Sequence, residues 1–351
     1  MPDAAGFLLV FAATAALTPV LMQRAQQWRL VALPSDRKLH SGAIPVVGGL
    51  AMGLAFLAAY LAQGALSEAG NSLAVAGAIA VALLGGVLDD RHELSAALKF
   101  SFQIVAAALL VLWGGALLTH VGNLMSAQLF TLGRWSLPLS LFAIVGVMNA
   151  INMSDGLDGL AGGFALAACL GFGFAALMAG DAIIFTAICL AAGAVAGFLV
   201  HNARLLGRGT APVYMGDTGS MLLGLLLAWF AIRLAMSERP ALAPISAVWV
   251  LALPIGDTVT LMIRRAIRRK NPFTGDREHL HHILLALGLS SGKTVLILIG
   301  TAALISIAGL TAERTGVPER VMFYLFVVGM LAYGVAAEIL CRRLLLRQPA
   351  R

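Results

Sequence analysis

The chain has 351 residues, of which 60% are apolar and 12% are charged, and its formal net charge at pH 7 is +7. Soluble globular domains contain about 45–50% apolar and about 25% charged residues, so this composition excludes an ordinary soluble enzyme. The mean hydropathy of +0.91 and the apolar runs along the whole chain indicate a polytopic membrane protein.

The first apolar run, residues 4–22, has its basic residues after it instead of before it. This order predicts a retained first span and not a cleaved signal peptide. The three cysteines, Cys169, Cys189 and Cys341, form no CxxC motif and no cluster with histidines. Neither a disulfide framework nor a zinc motif is therefore expected from the cysteines.

Apolar stretches long enough to cross about 30 Å of hydrocarbon predict about eleven transmembrane helices. They lie near residues 4–22, 45–66, 73–88, 98–118, 136–153, 160–178, 182–200, 215–236, 242–263, 293–312 and 320–340. Because a backbone in lipid must satisfy its own hydrogen bonds, we expect an all-α fold. Residues 1–351 would then form a single integral-membrane domain.

The basic residues predict the orientation of this domain. If the N-terminus lies outside, 19 of the 24 basic residues fall on the inner side. The positive-inside rule then predicts an outer N-terminus and a cytoplasmic C-terminus. The cytoplasmic segments in which we expect the active site are 23–44, 89–97, 154–159, 201–214 and 264–292.

Acidic residues gather where predicted spans meet this inner side, at Asp89, Asp90, Asp155, Asp158, Asp217 and Asp257. Each alone is compatible with a helix cap or an interfacial charge, and Asp217 before Thr218 and Gly219 resembles an N-cap. Several such sites on one side instead favour a hard cation held by oxygen ligands, such as Mg²⁺ or Mn²⁺.

The segment from Asn149 to Gly163 carries an oxygen-bearing side chain at every third position, namely Asn149, Asn152, Asp155 and Asp158. At helical pitch this spacing predicts one slowly drifting polar stripe. Four glycines, at 156, 159, 162 and 163, lie within and after this stripe and permit close approach of a ligand or another backbone. Close helix packing through small residues explains the glycines but not the stripe.

A second polar segment begins with five basic residues at 264, 265, 268, 269 and 270 and continues to His279, His281 and His282. Arginine forks and histidines suit phosphate groups. An anchor on anionic lipid explains the basic run alone, and the histidine spacing matches zinc sites poorly. Asp257 lies two helical turns before Arg264 and Arg265, where it is placed to orient a guanidinium.

Carboxylates for a metal, basic groups for phosphates and access to a lipid together favour phosphoryl transfer at the inner leaflet. An ion-coupled transporter is an alternative, which predicts acids near the bilayer midplane and broken helices. A non-catalytic structural membrane protein is another, and it predicts little effect of removing Asp217 or Asp89.

Five ordered motifs cover nearly the whole chain: 37–49 with Lys38 and His40, Leu88-Asp89-Asp90, Asn149 to Gly159, Met215 to Ser220, and Asp276 to His282. In these motifs the sequence resembles the polyprenyl-phosphate N-acetylhexosamine-1-phosphate transferases of the WecA and MraY type. The resemblance implies transfer of a sugar 1-phosphate from a UDP-sugar to undecaprenyl phosphate, with release of UMP and with Mg²⁺ as the cofactor.

The resemblance also implies roles for matching residues. Asp217 would bind the metal, with Asn152, while Asp89 and Asp90 would hold or deprotonate the lipid phosphate. Asp155 and Asp158 would orient the nucleotide or sugar. The diphosphate and sugar would be held by Arg265, His279, His281 and His282, and Lys38 would lie near the nucleotide.

The His-x-His-His form of the last motif resembles the WecA branch and favours UDP-N-acetylglucosamine as donor. The alternative is a phospho-MurNAc-pentapeptide transferase of the MraY branch. The resemblance implies a bacterial cytoplasmic membrane protein with a cytoplasmic active site, acting at the first membrane step of cell-envelope polysaccharide synthesis. A homodimer is compatible with the apolar spans, and no nucleic-acid partner is expected.

Overall fold

A computed structural model describes residues 2–33, 42–64, 69–124, 128–203, 210–269 and 278–345. Within these residues the α-helices are α1 Pro2–Trp28, α2 Gly48–Gly64, α3 Ala69–His92, α4 Ala96–Leu112, α5 Ser136–Ser154, α6 Leu160–Ala179, α7 Ala182–Asn202, α8 Gly216–Met236, α9 Pro244–Val250, α10 Ala252–Ile267, α11 Leu280–Ala286, α12 Ser291–Arg314 and α13 Glu319–Leu345. A 3-10 turn, Gly133–Trp135, precedes α5.

The described helices confirm an all-helical, polytopic membrane protein. Eight are long and apolar enough to cross a bilayer, namely α1, α3, α5, α6, α7, α8, α12 and α13. The bent pair of α9 and α10 is a ninth candidate, and α2 and α4 are shorter apolar helices. Each of the eleven expected segments thus contains helix, although α4 ends at Leu112, before the end of the expected segment 98–118. The number of helices that cross the bilayer and the sides of the termini stay predictions.

The expected span at 242–263 is wrong as a single continuous helix. α9 ends at Val250, α10 begins at Ala252, and the two are bent by 85°. Pro254 supplies the local reason, because it has no N–H to give to the carbonyl of Val250, four residues earlier. The break is a feature that the transporter alternative also predicts. In this fold it turns the polar residues of α10 towards the histidine segment.

The helix α8 lies at the centre of the bundle. In its most apolar stretch, 89% of the residues are buried. The corresponding fraction for α13 is 6%, so α13 lies at the periphery. The start of α8 is held by the chain that enters α2: the N–H groups of Gly48 and Gly49 donate to the carbonyls of Tyr214 and Met215. The site described below surrounds this end of α8.

A two-stranded antiparallel sheet precedes α2, with β1 at Val31–Ala32 and β2 at Ile44–Pro45. The sequence pattern did not predict these short strands. Pro45 accepts a backbone hydrogen bond from Tyr214, so β2 also lies against the segment that enters α8. The strands therefore help to fix the chain around the start of α8.

Candidate active site

Two glycines allow α2 and α3 to approach the first turn of α8 closely. A Cβ atom at Gly49 would lie 2.1 Å from the backbone nitrogen of Gly219, and one at Gly86 would lie 2.3 Å from the Cα of Thr218. No side chain fits at these distances. The approach brings the end of α3, with its paired aspartates, against the N-terminus of α8.

Asp90 caps the N-terminus of α8 from outside that helix. Its Oδ1 accepts the N–H of Asp217 at 2.7 Å, and its Oδ2 accepts the N–H and hydroxyl of Thr218 at 3.0 and 2.6 Å. A carboxylate here satisfies orphan donors and complements the helix dipole. Gly216 has a φ of +71°, and a Cβ there would meet the Asp90 carboxylate at 2.5 Å. The suggested N-cap role of Asp217 is therefore wrong, since Asp217 lies in the first turn of α8.

Asp89 and Asp217 share one ammonium group. Lys99 Nζ lies 2.8 Å from Asp89 Oδ2 and also donates to Asp217 Oδ1. The other oxygen of Asp89 accepts the N–H of Leu94 at 2.9 Å. Lys99 therefore partly neutralises two carboxylates that come from different helices.

Lys99 was not among the residues expected at the site. Its signal in the sequence is its position inside a predicted apolar span, 98–118, where an ionisable residue is by default a functional candidate. Lys99 lies in the first turn of α4, which Ser95 caps by accepting the N–H of Leu98. This short, capped helix start directs Lys99 towards the aspartates.

Asn152, at the end of α5, lies on the other side of Asp217. Its Nδ2 donates to Asp217 Oδ1 at 2.5 Å and to Ser220 Oγ at 2.8 Å. One turn earlier, Asn149 Nδ2 donates to Gln103 Oε1 of α4 at 2.8 Å. The buried amide pair aligns α4 with α5, so that Lys99 and Asn152 reach the same carboxylate.

The expected stripe of four polar residues is wrong beyond its two asparagines. α5 ends at Ser154, and Asp155 is its C-cap residue with φ −81° and ψ 53°. Asp158 lies in the turn that follows, where its Oδ2 accepts the N–H of Ala211 at 3.0 Å. A helix needs continuous helical dihedrals to keep side chains on one face, and these two aspartates are placed by the turn instead.

Asp155 stands exposed at the mouth of this carboxylate group. Crowding by surrounding protein and the carboxylates of Asp217, Asp158 and Asp90 raise the pKa of Asp155 to about 7. The surrounding protein contributes most to this shift, and repulsion by the three other carboxylates adds to it. A bound cation would relieve that repulsion.

The glycines after Asp155 allow neighbouring elements to pack closely against this turn. One of them, Gly156, lies against a histidine. A Cβ at Gly156 would lie 2.1 Å from His281 Nε2. A Cβ at Gly163 would lie 2.0 Å from Ile299 Cδ1 of α12. Gly159 has a φ of +83°, a backbone conformation that favours glycine. Gly156 therefore joins the carboxylate turn to the histidine segment.

Asn202 bridges the turn to the segment that leads into α8. Its Oδ1 accepts the N–H of Gly159 at 2.7 Å, and its Nδ2 donates to the carbonyl of Val213 at 2.8 Å. Both ends of this buried side chain are used in holding backbone. Asn202 is therefore a structural residue of the site.

The histidine segment is held by Asp257 of α10. Asp257 Oδ2 lies 2.8 Å from His279 Nδ1, while Oδ1 accepts the N–H of Leu280 at 3.1 Å and the hydroxyl of Tyr333 at 2.5 Å. The carboxylate thus orients His279 and caps α11. We expected Asp257 to orient a guanidinium, but the hydrogen bonds of its carboxylate go to His279, Leu280 and Tyr333 instead.

The three histidines form a compact group. The ring centroids of His279 and His281 are 5.5 Å apart and those of His281 and His282 are 4.2 Å apart. Burial and the neighbouring rings lower the pKa of His281 to about 3, so this ring is neutral at physiological pH. Its Nε2 has no hydrogen-bond partner among the described residues and faces the turn at Gly156.

Two arginines of the basic run are neutralised within the protein. Arg264 pairs with Glu278 at 2.9 Å and Glu338 at 3.0 Å, and Arg268 pairs with the same two glutamates at 2.8 and 2.6 Å. Arg265, the arginine expected to bind substrate, is 2% exposed and points inwards. Lys38, also expected at the site, and Asp276 lie outside the described residues.

The oxygen donors at the carboxylate end are of the type that a hard cation prefers. Asp217 is 32% exposed in its side chain, and Asp89 and Asn152 lie beside it. Mg²⁺ is usually held by one or two carboxylates together with waters and phosphates. Among the described residues, no group of three or more histidine, cysteine, aspartate or glutamate side chains is arranged to hold a metal ion by itself.

Comparisons with known proteins show which sequences this chain is similar to. A sequence profile described as glycosyl transferase family 4 matches residues 72–235, which include the ends of α3, α4, α5 and α8 that form the carboxylate group. The undecaprenyl-phosphate alpha-N-acetylglucosaminyl 1-phosphate transferase of Escherichia coli (strain K12) is 32% identical over 308 residues, 87% of this chain and 83% of that protein.

Two further relatives have similar coverage. The protein of the same name from Yersinia pestis is 31% identical over 310 residues, 87% of this chain and 83% of its own length. The probable undecaprenyl-phosphate N-acetylglucosaminyl 1-phosphate transferase of Bacillus subtilis (strain 168) is 31% identical over 297 residues, 85% of this chain and 81% of its own length.

Proposed function

The chain belongs to glycosyl transferase family 4, among the polyprenyl-phosphate N-acetylhexosamine-1-phosphate transferases, and we propose that it transfers N-acetylglucosamine 1-phosphate from UDP-N-acetylglucosamine to undecaprenyl phosphate. The observation that carries this proposal is the convergence of Lys99 and Asn152 on Asp217, beside Asp89, at the N-terminus of the central helix. This arrangement collects the charges that a transfer between two phosphates requires.

In the proposed reaction an oxygen of the lipid phosphate attacks the phosphorus that carries the sugar. A new P–O bond forms, and the bond from that phosphorus to the oxygen shared with the uridine phosphate breaks, releasing UMP. Most of the work lies in positioning and in neutralising phosphate charge. Lys99 is placed to supply one positive charge at this point.

Asp89 serves this reaction better as a positioning group than as a base. A phosphate monoester has a second pKa near 6, so at neutral pH it is largely ionised without help. Both Asp89 oxygens also have partners, Lys99 and the N–H of Leu94. Asp89 therefore holds Lys99 in place. Asp90 holds the start of α8 and, through it, Asp217.

We propose that Asp217, with Asn152, holds Mg²⁺ between the protein and the substrate phosphates. The bound ion would neutralise charge on the diphosphate. Mn²⁺ has similar ligand preferences and is the expected substitute. The raised pKa of Asp155 supports a cation nearby, because three other carboxylates contribute to it and Lys99 pairs with only one of them, Asp217.

At the other end of the site, His279, His281, His282 and Arg265 are proposed to hold the donor. His281 is a buried neutral ring against the turn that carries Asp155. Its Nε2 is suited to exchange a hydrogen bond with a sugar or phosphate. Asp158 is proposed to orient the nucleotide or sugar, and Lys38 is proposed to lie near the nucleotide.

The protein is proposed to lie in the cytoplasmic membrane of a bacterium with this site on the cytoplasmic face. The distribution of basic residues supports that orientation. The reaction would then supply the first lipid-linked sugar of a cell-envelope polysaccharide. The names of the relatives favour N-acetylglucosamine over the MraY-type donor.

The test is transfer of label from UDP-[β-³²P]N-acetylglucosamine into the lipid phase by purified protein with undecaprenyl phosphate. We expect label that depends on Mg²⁺, is lost with EDTA and is lost in Asp217→Asn. The matched control is Asp181→Asn, at the N-cap of α7, where asparagine caps equally well.

Two outcomes would redirect the proposal. Label only with UDP-MurNAc-pentapeptide would keep the chemistry and move the protein to the MraY branch. Absence of label with every UDP-sugar, from folded protein, would overturn the proposed function and return attention to the transporter alternative.

A further inference from the structure

The second half of the peripheral helix α13 makes polar contacts at the histidine segment, through Tyr333 and Glu338. Most of its surface is exposed, including Tyr324 at 57% and Leu331 at 65%. Its buried residues Ala337 and Cys341 pack on Ile283 of α11. One of the places where this largely exposed helix contacts the bundle is therefore the segment with the expected donor-binding residues.

Two glycines allow α10 and α13 to approach each other at this point. A Cβ at Gly256 would lie 2.7 Å from Met330 Sδ, and one at Gly334 would lie 3.3 Å from Thr260 Cγ2. Gly256 precedes Asp257 and Gly334 follows Tyr333 in the chain. The close approach therefore occurs at the two residues that form a hydrogen bond across the helices.

Asp257 connects Tyr333 to His279. The Tyr333 hydroxyl donates to Asp257 Oδ1 at 2.5 Å, and the other oxygen lies 2.8 Å from His279 Nδ1. A hydrogen bond at one ring nitrogen selects the tautomer and the ring orientation, so that the other nitrogen faces the opposite way. The tyrosine holds the carboxylate, and the carboxylate holds the ring.

We propose that Tyr333 is a positioning residue, acting through Asp257 to fix the orientation of His279 for the donor substrate. The effect on catalysis rests on the proposed function, whereas the effect on the His279 ring does not. Tyr333 follows Asp257 by 76 residues. Sequence spacing alone therefore does not connect the two residues.

The first measurement is steady-state kinetics of Tyr333→Phe, which removes only the hydroxyl, beside Tyr324→Phe on the exposed face of the same helix. We expect kcat/KM for the UDP-sugar to fall about tenfold in Tyr333→Phe, because a hydrogen bond to a charged group is lost. The KM for undecaprenyl phosphate and the values for Tyr324→Phe should stay at wild-type levels.

A double-mutant cycle separates positioning from general packing. In a His279→Ala background, Tyr333→Phe should have no further effect on kcat/KM, because the group that it positions is gone. Equal fold-losses in the presence and absence of His279 would overturn the proposal. Wild-type kinetics in Tyr333→Phe would overturn it as well.

A second readout does not need turnover. Diethylpyrocarbonate modifies accessible histidine rings, and mass spectrometry can follow His279, which is 7% exposed. We expect several-fold faster modification of His279 in Tyr333→Phe than in Tyr324→Phe, with exposed His92 as the internal reference. Unchanged modification would overturn the proposal even if no transferase activity were found. Faster modification without transfer in the wild type would overturn the proposed function alone.

Discussion

The carboxylate of Asp90, at the end of α3, accepts the backbone N–H of Asp217, 127 positions later in the chain. Through this hydrogen bond, one aspartate of the pair at 89 and 90 holds the helix that presents the expected metal ligand. Its neighbour Asp89 holds Lys99 instead. The adjacent aspartates therefore have different tasks.

Removing the cap should destabilise the protein and the site together. Asp90→Ala leaves first-turn N–H groups of α8 without an acceptor, and we expect a loss of about 1–3 kcal/mol of stability together with transferase activity. Thermal unfolding in detergent and the transfer assay measure the two effects. Asp181→Ala, which removes the cap of α7, should cost about 1 kcal/mol without loss of activity. Full activity of Asp90→Ala would contradict the role given to Asp90.

Removing the shared ammonium should leave two carboxylates facing each other without a counter-charge. We expect Lys99→Met to lower kcat about a hundredfold, the size of effect seen when one electrostatic group is removed from an active site. The control is Lys293→Met, an exposed lysine in the first turn of α12. Equal activities of the two variants would show that Lys99 is only a structural counter-ion.

A methyl group at position 156 should separate the carboxylate turn from the histidines. The added Cβ of Gly156→Ala would lie 2.1 Å from His281 Nε2, so the ring must move. We expect a loss of about 1–3 kcal/mol from overpacking and at least about tenfold lower activity. Gly146→Ala on α5 meets nothing within 4 Å and should be neutral or slightly stabilising. Matching behaviour of the two variants would contradict contact between the turn and His281.

The raised pKa of Asp155 predicts a pH-dependent stability difference. The folded carboxyl, with a pKa of about 7, holds its proton above the unfolded value of 3.8, so stability falls as pH rises from about 4 to 7. Asp155→Asn lacks this loss, so its Tm should exceed that of the wild type increasingly over this interval and by a constant amount above it.

The comparison is made in EDTA, and addition of Mg²⁺ should reduce the difference, because a cation stabilises the ionised carboxylate. A constant Tm difference from pH 4 to 8 would show that the folded protein does not raise the pKa of Asp155.

The continuous α9–α10 helix and the polar stripe were the main errors of sequence interpretation. In both cases the prediction extended helical periodicity past a residue at which the helix ends. Pro254 interrupts one helix, and the turn after Ser154 ends the other. Periodicity describes which residues share a face only while the dihedrals repeat.

The roles of Lys99 and Tyr333 were not predicted from the sequence, for a different reason. Each acts on a residue far along the chain, at a separation of 118 for Lys99 and Asp217 and 76 for Tyr333 and Asp257. A single sequence contains no signal that pairs positions so distant. The position of Lys99 in the predicted span 98–118 was a usable signal that the sequence interpretation did not take up, whereas Tyr333 resembled any other residue of the last helix.

The sequence by itself determined that this protein is a helical membrane protein with acidic, amide and histidine motifs, because hydropathy and residue type are properties of the linear chain. Only the tertiary structure decided which aspartate caps a helix, which one shares Lys99 and which one stands at the mouth of the site. Those assignments depend on hydrogen-bond distances, and the glycine contacts that bring α2, α3 and α8 together set these distances. The different roles of the aspartates therefore depend on how the helices of the bundle pack.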